Sequence, residues 1–195
     1  DCNIPNLDWN SQRVILATVH RRENWGQPLI QIANAWLQIL DNFADVALVL
    51  PLHLNPVVRE PLKALLGNHP RIFLTEPLNY AELVGAMQRC YLIMSDSGGI
   101  QEEAISLGKP VLVLRDKTER VEGLWTGLAT LVGTNQEAIQ KEMYTLMHDT
   151  PVAQIKTSSI YGTGYAADMI VHIVQTKRNH APHYDSVQKF YTATL

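Results

Sequence analysis

Short apolar runs recur along this chain, each separated from the next by a longer amphipathic stretch. Runs this brief, apolar at consecutive positions, suit strands buried on both faces, and the stretches between them suit crossover helices. The alternation predicts an α/β domain with a parallel sheet and helices on both faces. "RVILATV" (Arg13 to Val19) reads as the first strand, followed by the loop "HRRENWGQ" and a helix from Pro28 to Leu40, with proline suited to a first helical turn. "VALVLPL" (Val46 to Leu52) is the second strand, with a helix running to about Leu66 behind "HLNP". "RIFLT", "CYLIM", "PVLVLR" and "ATLVG" supply the remaining strands. Asn79 with Glu82, and Thr134 with Glu137, have the spacing of capping boxes, the first opening a helix to about Arg89 and the second a helix to about His148.

The length of 195 residues favours one such domain over two. We read residues 1–12 as a linker-like segment, 13–176 as the domain, and 177–195, where periodicity fades, as a peripheral extension. A formal net charge of -3 offers no broad basic field, so nucleic acid is not an expected partner and any anion has to be held locally. Cys2 and Cys90 lack metal-ligand spacing, and no metal is expected. No apolar run approaches the ~18 residues of a membrane span, which leads to the expectation of a soluble, cytoplasmic protein.

In an open parallel sheet, ligands bind beyond the carboxyl ends of the strands. The segments that follow the strands here are "HRREN", "HLNP", "TEPLNY", "SDSGG" and "RDKTER". In "SDSGGIQEEA", Ser97 is placed to cap a helix, and Gly98 and Gly99, without Cβ atoms, let an oxygen-rich ligand approach unpaired backbone N–H groups. That combination suits a phosphate or diphosphate, although an ordinary capped strand-to-helix turn would be written the same way. Glu102 and Glu103 project about 100° apart on a helix, so only one of them can face a ligand there. His20 is suited to exchanging a proton near neutral pH, Arg21 to gripping phosphate, and His53 to joining the same crevice. A salt-bridged surface loop remains the alternative for "HRREN", and a structural histidine for His53.

Taken together, "HRREN", "HLNPVVREPL", "DSGGIQEEAISLGKPVLVLRDKTER", "LVGT" and "YGTG", in this order and spacing, resemble the non-hydrolysing UDP-N-acetylglucosamine 2-epimerases. The resemblance covers the C-terminal half of that family. It implies a Rossmann-like domain, one of the two that face each other in a glycosyltransferase B-type fold, with an N-terminal catalytic half as its partner. It further implies a homodimeric enzyme that interconverts UDP-GlcNAc and UDP-ManNAc by eliminating and re-adding UDP, without a cofactor, in surface polysaccharide biosynthesis. By position, Ser97, Gly98 and Gly99 match the phosphate-binding turn, Glu103 the carboxylate on the ribose, and His20 a catalytic histidine. Arg21 and His53 match residues near the sugar nucleotide, including a second, regulatory one in some members. Leu83 stands where many members carry a phenylalanine, and Val121 where proline is usual. A hydrolysing relative, a non-catalytic UDP-sugar module and a glycosyltransferase-type partner are the alternatives.

Overall fold

A computed structural model describes residues 2–149 and 160–176. They fall into two compact units, one ending at residue 160 and one beginning at 161. The first contains β1 (Arg13–Thr18), a short 3-10 turn at Arg22–Asn24, α1 (Gln27–Asn42), β2 (Val46–Pro51), α2 (Pro56–Leu66), β3 (Ile72–Thr75) and α3 (Tyr80–Arg89). It continues with β4 (Leu92–Ser95), α4 (Gly98–Ser106), β5 (Val111–Val113), α5 (Val121–Trp125), β6 (Ala129–Leu131) and α6 (Gln136–Asp149). In the second unit, a turn with Gly162 and Gly164 at positive φ leads to α7 (Ala166–Thr176). The extension expected at 177–195 lies outside the described residues.

The strands of the first unit form one sheet in the order β3-β2-β1-β4-β5-β6, and every pairing is parallel. This is the Rossmann-like α/β arrangement that the alternation of runs predicts. Successive side chains on a strand point to opposite faces. Ile15, Ala17, Leu48, Leu50, Leu92 and Met94 accordingly join the core formed with α1, α2 and α6, where Trp36 is buried and donates its indole N–H to the Met94 sulfur at 3.2 Å. The intervening Val14, Leu16, Ala47, Val49 and Ile93 are just as buried, and α3 and α4 pack on β1, β4 and β5. Burial on both faces is the reason the strands read as unbroken apolar runs.

Local signals set the helix starts. Asn79 accepts from the Glu82 N–H at 3.0 Å while the Glu82 carboxylate accepts from the Asn79 N–H at 2.9 Å, forming the expected capping box of α3. The box expected at Thr134 and Glu137 does not form. Asn135 caps α6 instead, its Oδ1 accepting from the Ala138 N–H at 3.0 Å, because a short amide side chain one residue later reaches the first turn in place of the hydroxyl.

Chain direction across the sheet reverses between β1 and β4. After β1 the chain winds outward through β2 and β3, and after β4 it winds the other way through β5 and β6. Residues paired directly across this boundary, such as Thr18 and Ser95, stand at the mouth of the crevice where an open α/β sheet takes its ligands.

Candidate active site at the strand switch point

The two loops that meet at the switch point are "HRREN" after β1 and "SDSGG" after β4. Their seam begins with the Thr18 and Ser95 hydroxyls, 2.6 Å apart, and the Ser95 hydroxyl also accepts from the Ser97 N–H at 3.0 Å. Directly above lies Asp96, fully buried. Its carboxylate accepts from the backbone N–H of His20 at 2.9 Å and of Arg21 at 2.8 Å, and from the Asn24 side-chain amide at 3.0 Å. The His20 imidazole lies against the other oxygen, Nδ1 to Oδ1 at 3.2 Å. Burial alone pushes this carboxyl up, but the hydrogen bonds from the His20 ring and the two backbone N–H groups outweigh it and hold it below the ordinary carboxylate value.

His20 and His53 come together across the ends of β1 and β2, their rings stacked at 5.8 Å between centroids and 20° between planes. His53 Nδ1 accepts from the Asn55 N–H at 3.1 Å, and Asn55 in turn caps α2. Both histidines line a cavity of about 300 Å³ whose other walls include Thr18, Pro77, Leu78 and Leu83. Its lining is largely apolar, with imidazole at one side, a form that suits a flat ring with polar edges. Arg21 is partly exposed, and its Nε is buried without a hydrogen-bond partner.

Next to this cavity α4 begins. Ser97 is its N-cap, as expected, with the hydroxyl oxygen 3.5 Å from the Ile100 N–H. The two glycines differ in their surroundings. A Cβ on Gly98 would stand 3.2 Å from the Arg120 guanidinium carbon, whereas a Cβ on Gly99 would meet open space. Arg120 reaches this position because the loop after β5 folds back over the helix. Thr118 donates its hydroxyl to the Gln101 side-chain carbonyl at 2.8 Å and accepts from the Arg120 N–H at 3.1 Å, and Arg120 Nε donates to Glu102 at 2.6 Å.

Glu102 and Glu103 therefore part company as their helical geometry requires. Glu102 is taken by Arg120, while Glu103 carries a buried oxygen, Oε2, with no hydrogen-bond partner. Burial, followed by the charge of Glu102, raises the Glu103 carboxyl above its ordinary value. Arg115 ties the remaining loops together, donating to Glu23 at 2.7 Å and to Glu119 at 2.8 Å, and these partners push its pKa up.

The candidates named from sequence thus cluster: His20, Arg21 and His53 on one side of the switch point, and Ser97, Gly98, Gly99 and Glu103 on the other. Reading the sequence alone passed over Asp96, Asn24, Arg115 and Arg120. Asp96 had a visible signal, an acidic residue directly after a strand too apolar to leave it exposed. The mixed charges of "RDKTER" gave no comparable signal, because solvated loops have the same composition. Among the described residues no group of three or more His, Cys, Asp or Glu side chains is placed to hold a metal, and no helix is long and apolar enough to cross a membrane.

Known proteins resemble this chain in sequence and fold. The family described as UDP-N-acetylglucosamine 2-epimerase matches residues 2–175. The UDP-N-acetylglucosamine 2-epimerase of Campylobacter jejuni is 42% identical over 173 residues, covering 88% of this chain and 45% of that protein. The crystal structure of UDP-GlcNAc 2-epimerase from Neisseria meningitidis bound to UDP-GlcNAc superposes with a TM-score of 0.84 at 41% identity, covering 88% of this chain and 47% of that one. The Staphylococcus aureus MnaA-UDP co-structure gives 0.83 at 40% identity, covering 89% and 49%. The chain spans about half the length of the relatives it matches. With a family match over most of its length and the same fold at this level of identity, the chain belongs to the UDP-N-acetylglucosamine 2-epimerase family.

Proposed function

We propose that this chain is the nucleotide-binding half of an enzyme that interconverts UDP-GlcNAc and UDP-ManNAc by eliminating and re-adding UDP. The observation that carries the reading is the start of α4 at the switch point. The first-turn N–H groups of the helix, the open face of Gly99 and the Arg120 guanidinium, which Glu102 engages, lie together there, and one turn on Glu103 has a buried oxygen in need of a donor. A diphosphate suits the first set of groups, and ribose hydroxyls satisfy the last. The uracil ring occupies the cavity beside His20, His53 and Leu83. Leucine fills the role of an aromatic ring there with less contact area, so base stacking contributes less.

His20 is the catalytic group of this half: its ring lines the cavity, 36% exposed, beside the place given to the diphosphate. There, once a second proton has been taken up on Nε2, it donates that proton to, or shares it with, the departing UDP. The acid–base carboxylates that remove and return the C2 proton belong, on this reading, to the other half of the protein, as does the homodimer contact. Family membership supports placing the whole enzyme in the cytoplasm, at the entry to surface polysaccharide synthesis.

Calorimetric titration of UDP into the chain tests the proposal. Glu103→Ala is expected to weaken binding by roughly 1.5 to 3 kcal/mol, the scale of a hydrogen bond to a charged group, and by much more than Glu102→Ala. Equal losses in the two variants would remove the ribose assignment, and an absence of binding by the parent chain would remove the nucleotide reading altogether.

A further inference from the structure

The geometry points to Asp96 as the positioning residue of this site, holding the neutral His20 ring as its Nδ1–H tautomer with the Nε2 lone pair left for the crevice. The consequence for UDP rests on the nucleotide reading above; the tautomer itself does not. The Asp96 carboxyl is held below its ordinary value by the hydrogen bonds that outweigh its burial, so at neutral pH it is ionised and offers only acceptors. The ring nitrogen lying 3.2 Å from Oδ1 must then carry the proton. The other Asp96 contacts explain why the carboxylate cannot turn away. Oδ2 is fixed by three donors, the N–H groups of His20 and Arg21 and the Asn24 amide, and the Asn24 amide is itself anchored to the Leu114 carbonyl at 3.0 Å. The same carboxylate balances the charge of the ring when a proton arrives at Nε2, the role an orienting acid has beside a catalytic histidine.

The arrangement makes the effect of one substitution specific. In Asp96→Asn the amide oxygen has to occupy the place of Oδ2, where three donors converge, and the amide N–H2 is left in the place of Oδ1, whose single backbone donor, the His20 N–H at 3.1 Å, keeps its shorter bond to the Oδ2 position. It then donates to His20 Nδ1 and forces the opposite tautomer, with the proton on Nε2. The loops and the three hydrogen bonds to the Oδ2 position are retained, but the ring now faces the crevice as a donor and has no carboxylate behind it.

Long-range ¹H–¹⁵N correlation spectra of the histidine rings read this directly, with His20 identified by the signals lost in His20→Gln. In the free parent protein at neutral pH, the neutral ring is expected to carry its proton on Nδ1, and in Asp96→Asn on Nε2. A parent ring protonated on Nε2, or an unchanged tautomer in a folded Asp96→Asn, would overturn the proposal. If Asp96→Asn does not fold, the parent spectrum decides alone. A double-mutant cycle on UDP affinity separates positioning from loop support. UDP is bound by the ring that has taken a proton on Nε2, and Asp96→Asn removes the carboxylate that balances its charge. The variant is therefore expected to weaken UDP about tenfold when His20 is present, the scale of one charge-assisted hydrogen bond, and to have little effect in the His20→Gln background. Equal losses in both backgrounds would reduce Asp96 to a loop brace. If the parent chain binds no UDP, the nucleotide reading fails, and the tautomer of the free protein still decides this one.

Discussion

At the scale of single residues, Gly99 offers the cleanest separation of folding from binding. A methyl group there meets no protein atom, and φ is not in the left-handed region, so Gly99→Ala is expected to leave stability unchanged or raise it by up to about 1 kcal/mol. If the diphosphate approaches this backbone, the same methyl lies in its path, and calorimetry is expected to show UDP affinity falling at least tenfold, about 1.4 kcal/mol. Undiminished affinity would move the phosphates elsewhere. Gly98 is a poorer probe, since its absent side chain makes room for Arg120. That distinction was not legible in "SGG". The sequence marks both glycines as permissive, but which of them faces a ligand depends on a guanidinium brought in from a loop about one helix and one strand further along the chain. Glu102 and Glu103 show the same limit: helical geometry says that they diverge, and only the position of Arg120 says which of them is already occupied.

At the scale of elements, β1 and β4 with their loops behave as one unit, and Asp96 is the joint. Its folded carboxyl binds protons less readily than in the unfolded chain, where the ordinary value is 3.8. The stabilisation it gives is therefore complete above that pH and is lost as pH falls through the lower, folded value. Urea unfolding across the acid range is expected to show this limb in the parent and not in Asp96→Asn. Asp96→Ala, which strands two backbone N–H groups and an amide, is expected to cost about 3 kcal/mol or more at neutral pH. A loss below about 1 kcal/mol would mean that water replaces the carboxylate. The strands, the longer helices and the α3 capping box are readable from sequence because they depend on periodicity and on partners three residues apart, whereas the five-residue α5 is too short to show a period. The start of α6 was misplaced by one residue because Thr134 and Asn135 are both good caps, and local sequence does not rank them. Asp96 itself stands out as an acid behind a buried strand, but the partners that make it a joint do not, because they lie more than 70 positions away.

At the scale of the whole molecule, the described crevice gathers imidazole and guanidinium groups but no pair of opposed carboxylates placed to take a proton from one face of a sugar and return it to the other. The 195-residue chain is therefore expected to bind UDP and yet leave the C2 proton of UDP-GlcNAc unexchanged in D₂O, as followed by ¹H NMR. Appreciable exchange by the chain alone would show that the base resides in this half after all. In a protein that includes the other half, His20→Ala is expected to lower turnover by roughly 10²- to 10⁴-fold. The pairing of β1 with β4 also bears on how the chain reaches its native state. Thr18 and Ser95 meet across 77 positions of sequence, so their strands close a long loop and pair only after a substantial entropic cost. Pairing of β1 with β2 and of β2 with β3 spans far fewer positions and builds half the sheet, with the cavity given to the uracil but without the start of α4 given to the diphosphate. A nucleotide that needs both parts consequently binds half-assembled chains more weakly than finished ones. It draws the equilibrium toward the finished fold, by an amount set by its concentration relative to its dissociation constants for the two.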